Sequence, residues 1–167
     1  HHTTRPAVAN MSLGGGASSA LDLAVSNAIN DGIVMCVAAG NNSADAGRYS
    51  PARVTAAITV GATGAYPTLG LNYDAMASYS NYGSVVDLFA PGSSIQSDWI
   101  TSTSASAILS GTSMATPHVA GVAALYLALN PTASPSQVQT YIKNAASKNK
   151  ISGLKGTTVN SLLYTAN

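Results

Sequence analysis

Ser113 stands in the stretch SGTSMATPHVAG, residues 110–121, four residues ahead of Pro117 and five ahead of His118. A serine hydroxyl is a poor nucleophile until a base takes its proton and something steadies the oxyanion that forms. Gly111 permits a tight turn before it, and the start of a helix offers unpaired N–H groups and partial positive charge. The same features describe a serine that merely caps a helix. The G-x-S-x-G elbow is excluded, because Ala115 occupies the place of its second glycine. His118 is not the base. Five residues on, it lies roughly 140° around the helix from Ser113, and it is read as a packed, hydrogen-bonded core histidine.

The surrounding chain must hold that stretch in place. Its 167 residues suffice for one domain. Charged residues are only 8% against 46% hydrophobic, so solubility rests on Ser, Thr, Asn and Gly, a balance that suits an extracellular surface. The net charge is +1, with no run of Lys or Arg, which disfavours nucleic acid and acidic membranes as partners. The longest apolar run, Val119 to Leu129, is shorter than the ~20 residues a bilayer requires, and reads as a buried core helix. Cys36 is the single cysteine. It excludes a disulfide within the chain and a zinc cluster, and inside GIVMCVAAG it reads as a small buried hydrophobe.

Four apolar runs, 7–13, 33–39, 56–62 and 85–90, read as strands buried on both faces. An amphipathic helix joins the first two, capped by Ser18 or Ser19 and stopped at Asp31-Gly32. Buried strands joined by such helices make a parallel sheet covered by helices, an α/β fold. Residues 63–77 read as a loop and 93–109 as a surface hairpin, where Trp99 either stacks on a substrate or, as the favoured reading, covers the hairpin base. Ser134-Pro135 opens a last helix with Val138, Tyr141, Ile142 and Ala145 on its inner face. Polar residues 1–6 precede strand 7–13 with no covering helix, so a preceding segment is expected to complete the core.

SGTSMATPHVAG resembles the serine motif of the subtilisin-like proteases, the subtilase family. AAGN (38–41) resembles its oxyanion segment and SLGG (12–15) its substrate-binding strand. YSPA (49–52), SNYGSVVDLFAPG (80–92) and NSLLY (160–164) point to the proteinase K-like branch that includes aqualysin-type enzymes. The resemblance implies a parallel-sheet subtilisin-like fold, of which residues 1–167 are the C-terminal segment of a single peptidase domain. It makes Ser113 the nucleophile and Asn41 the oxyanion donor. Ser12, Leu13 and Gly14 would pair with the backbone of a protein or peptide substrate, while Ala38, Ala39 and Gly40 wall the pocket before the scissile bond.

The resemblance also aligns Asp87 and the carbonyls of Thr55 and Ala57 with a calcium site. Hard oxygen donors suit that ion, and an Asp paired with a positive charge is the alternative. The family's D-[ST]-G aspartate and H-G-T histidine are not in this sequence, and in the family both precede the strand equivalent to 7–13. The implied protein is a secreted serine endopeptidase in which an N-terminal segment of the same domain supplies Asp and His. The other reading is an inactive fragment or pseudoprotease that binds peptide without cutting it.

Overall fold

The computed structural model describes residues 6–64 and 74–165. Most of the expected 63–77 loop, together with His1 and His2, lies outside the described residues; its described ends, 63–64 and Asp74–Met76, are strand and not loop. In chain order, β1 (Ala7–Met11) leads through β2 (Gly15–Gly16) to α1 (Ser19–Asn30), which returns to β3 (Ile33–Ala38). After β4 (Tyr49–Ser50) comes the core strand β5 (Ile58–Gly64), with β6 (Asp74–Met76) folded back against its end. Strand β7 (Leu88–Pro91) precedes a hairpin of β8 (Ile95–Asp98) and β9 (Ser106–Leu109). Helices α2 (Thr112–Leu129) and α3 (Pro135–Ala145) follow, then the short strands β10 (Ser147–Lys148), β11 (Ile151–Ser152) and β12 (Ser161–Leu162).

The main sheet runs β1-β3-β5-β7-β12-β10. Strands β1, β3, β5 and β7 are mutually parallel, as the run of apolar segments predicts. Alternation along β3 divides the layers. Val34 and Cys36 face a cluster with Val119, Ala123 and Leu127 of α2 and Val138 and Ile142 of α3, while Met35 and Val37 face Val25 of α1. Each set is nearly fully buried, which is why the strand reads as unbroken hydrophobe.

The helix boundaries have local causes. Ser18 Oγ accepts from Leu21 N at 3.4 Å, and α1 stops at Asp31, beyond which Gly32 turns back with φ +92°. Ser134 and Gln137 form a reciprocal capping box around Pro135, which opens α3 with its fixed φ.

Two expectations need correction. The run 7–13 is not a buried strand: β1 stops at Met11 and stays only half-buried, because among the described residues it is the edge of the sheet and pairs with β3 alone. Nor is 119–129 buried all round. Leu125 is 65% and Leu129 84% exposed on the face turned from the sheet. By length and composition α2 passes as a membrane-spanning helix, but its other face packs on β1, β3, β5 and β7, as a core helix does.

Candidate active site

The N-cap of α2 is Gly111, which has no side chain to cap with, and Ser113 is the second helical residue. Its hydroxyl is therefore not spent on capping. Asn41 does that work from outside the helix. Its Oδ1 accepts from Thr112 N at 2.8 Å and from Thr112 Oγ1 at 2.9 Å. With the oxygen so occupied, the amide NH2 must face the other way, and a Cβ built on Gly111 would lie 3.2 Å from Nδ2. Thr112 Oγ1 also accepts from Gly40 N at 3.2 Å, joining the two segments again.

Pro117 lies inside α2 and has no N–H to offer the carbonyl of Ser113 four residues back. Ser12 supplies the donor instead, with Ser12 Oγ 2.7 Å from Ser113 O. In return Ser113 Oγ donates to Ser12 O at 3.3 Å. The turn from β7 is tied to the helix start as well. Gly92 O accepts from both Gly111 N and Tyr79 Oη, each at 2.8 Å.

Leu13, Gly14, Ala38, Ala39, Gly40, Asn41 and Ser113 line one cavity of about 470 Å³. Ser12 is not on its wall and stands behind Ser113. Leu13 is half-exposed, and residues 12–14 lie beyond the end of β1. Thr112 also lines the cavity. Sequence reasoning passed it over, although its place inside GTS was the available signal. A second hollow of about 340 Å³, on the Met114 side of Ser113, is bounded by Ile95, Gln96, Pro117 and His118.

His118 corrects its own expectation. It is exposed, not packed in the core, and its Nδ1 lies 2.8 Å from Met114 O, within the same helix. Trp99 is 42% exposed, its backbone N–H donating to Ala105 O at the end of the hairpin.

The oxygens of Thr55, Ala57 and Asp87 do converge. Gln139 Nε2 lies 3.2 Å from Thr55 O, 3.0 Å from Ala57 O and 3.4 Å from Asp87 Oδ2. Thr59 N donates to the same carboxylate, and Lys143 Nζ pairs with Asp87 Oδ1 at 2.7 Å. Two carbonyls and a carboxylate around one point fit a hard cation. Here that point is met by the chain's own amide and ammonium. Nearby, burial and the Asp87 carboxylate push the Cys36 thiol up to about 12.

The model of the subtilase family matches residues 3–161. The chain belongs to the subtilase family. An extracellular serine proteinase of Thermus sp. (strain Rt41A) is 58% identical over 161 residues, covering 96% of this chain and 38% of that protein. Proteinase R of Parengyodontium album is 48% identical, covering 94% of this chain and 38% of its own length. The crystal structure of a cold-adapted subtilisin-like serine proteinase superposes with a TM-score of 0.89 at 51% identity, over 98% of this chain and 56% of that one. This subtilase chain therefore has the subtilisin-like α/β fold, and spans well under two thirds of the relatives it matches.

Proposed function

We propose that this chain is the C-terminal part of a secreted serine endopeptidase. The observation that carries the reading is the Asn41–Thr112–Ser113 arrangement. An asparagine with its carbonyl pinned to the helix start keeps its NH2 free beside a serine that caps nothing. In this reading Ser113 Oγ attacks the peptide carbonyl. The developing oxyanion is received by Asn41 Nδ2 and the Ser113 N–H. The C–N bond breaks, the amine leaves with the proton that the base took from Ser113, and water then hydrolyses the acyl-enzyme. The backbone of residues 12–14 receives the substrate as an added strand, which asks for no particular side chain. The small walls at Ala38, Ala39 and Gly40 admit a large apolar residue before the scissile bond.

The general base belongs to an upstream segment of the same domain. His118, the histidine among the described residues, bonds Met114 O of its own helix, while the Ser113 hydroxyl bonds Ser12 O. The uncovered edge of β1 and the exposed Leu125 and Leu129 of α2 support a partner layer there. Relatives named as extracellular and as serine proteinases support both the activity and the secretion. A calcium ion, if bound, would be held by Thr55 O, Ala57 O and Asp87, and would stiffen the link between β5 and β7.

The second reading is a peptide-binding pseudoprotease, and one observation favours it. The acceptor for the Ser113 hydroxyl is a carbonyl, Ser12 O, and not an imidazole. Labelling the full-length protein with a fluorophosphonate separates the two. A covalent adduct on Ser113, lost in Ser113→Ala, supports the peptidase. Peptide binding with no adduct on the unsubstituted protein supports the binding module.

A further inference from the structure

Strand β3 ends at Ala38, so the backbone that carries Asn41 continues without the ladder of a sheet. Residues 78–82 run alongside and take over that role. Ser43 N donates to Tyr79 O, Tyr82 N to Ala44 O, and Ala46 N to Tyr82 O, at 2.8–3.0 Å. Nearest Asn41, where Gly40 N goes to Thr112 Oγ1, the remaining bonds fall to one residue. Asn81 N donates to Gly40 O at 2.9 Å, and Asn81 Nδ2 donates to Ala39 O at 2.8 Å. Asn81 Oδ1 accepts from Asn42 N at 2.9 Å and from Ala44 N at 3.1 Å.

We propose that Asn81 is the positioning residue for Asn41, holding the turn on both sides of it and so setting the direction of its amide. The inference rests on the reading of Asn41 as oxyanion donor. Asn81 is fully buried, so it touches no substrate and acts only through what it holds. Its bonds bracket Asn41, with Ala39 and Gly40 on one side and Asn42 and Ala44 on the other. Gly40, at φ +102°, completes the arrangement. A Cβ there would come within 2.5 Å of Asn81 Nδ2, so only glycine lets the amide approach so closely. Both ends of the oxyanion side chain are thereby fixed: Thr112 holds Oδ1 and the Gly40 amide, and Asn81 holds the backbone on either side of Asn41.

Serine is too short to reach both flanks of the turn. Asp keeps the shape and the two accepted bonds but loses the donor to Ala39 O. The test uses the full-length protein, a peptide p-nitroanilide substrate and the double-mutant cycle of Asn81→Ser with Asn41→Ala. Asn81→Ser should lower kcat by about tenfold or more, with KM changed by less than about twofold. In the Asn41→Ala background the same substitution should lower kcat by less than about threefold. Equal losses in both backgrounds, or a lowered melting temperature with kcat intact, would overturn the proposal. If Asn81→Ser fails to fold, Asn81→Asp enters the same cycle and is read the same way. An unsubstituted protein that neither hydrolyses the substrate nor takes up a fluorophosphonate would sink the peptidase reading, and this inference with it. A change confined to the variants of an active protein bears on Asn81 alone.

Discussion

Ser12 and Ser113 exchange hydrogen bonds, each hydroxyl donating to the other's carbonyl, at 2.7 Å and 3.3 Å. The shorter bond exists because Pro117 leaves the Ser113 carbonyl without its helical donor. Ser12→Ala should therefore cost about 1 kcal/mol, a fall of roughly 2–4 °C in melting temperature for a domain of 150–250 residues. Pro117→Ala restores the missing N–H, so the double variant should recover much of that loss. Calorimetry on the four proteins of the cycle checks it. Strictly additive effects would separate Ser12 from the proline.

Thr112→Val removes one of the two donors to Asn41 Oδ1 while keeping the backbone one. The asparagine should then swing more freely, lowering kcat by about tenfold and leaving KM little changed. In the proposed mechanism Asn41 donates to the oxyanion, so Asn41→Ala should cost about 10²–10³-fold in kcat, a figure that comes from subtilisin itself. Steady-state rates on a peptide p-nitroanilide measure both. A rise in KM as large as the fall in kcat would instead assign these residues to substrate binding.

Much of this was legible in the sequence, for a specific reason. Motifs in which neighbouring residues act together, such as GTS and AAGN, carry their own geometry, and apolar runs such as 33–39 and 56–62 announce a buried parallel sheet. What stayed hidden depends on distant partners. Leu125 and Leu129 look like any core leucines, because a side chain's preference for burial does not say whether its cover is there. Gln139 and Lys143, four residues apart on α3, read as an ordinary solvent face. Only the fold brings them against Asp87. Asn81 sits inside SNYG with no sign that its amide reaches back to residues 39–44.

The same convergence at Asp87 yields a prediction about calcium. Gln139→Ala frees the oxygens of Thr55 and Ala57 from the competing amide. Calcium should then raise the melting temperature of the variant by several degrees more than that of the unsubstituted protein, since a ligand held only by the folded state stabilises it. Thermal scans with calcium and with a chelator measure the difference. Identical curves in all four conditions would mean that no cation is held at this point.

Cys36 predicts a pH effect. The folded state holds its thiol proton up to about 12, whereas the ordinary value is 9.0. Stability from this group is complete below pH 9 and drains away as the pH rises from 9 toward 12, because the unfolded chain sheds the proton first. By pH 10.5 the loss relative to pH 8 should be about 2 kcal/mol. Urea midpoints of the native protein and Cys36→Ala, compared at both pH values, isolate this share from other alkaline titrations. The native thiol should also stay unreactive toward thiol reagents at pH 8 until the protein unfolds.

The carbonyl of Gly92 receives both the Tyr79 hydroxyl and the amide of Gly111. The β8–β9 excursion consequently departs from and comes home to a single oxygen atom. Its length and tip are uncoupled from the register of the helix that bears Ser113. Grafting a longer or shorter arm between those two glycines would alter what lies beside Ile95 and Gln96 while leaving the Ser113 hydroxyl where it is.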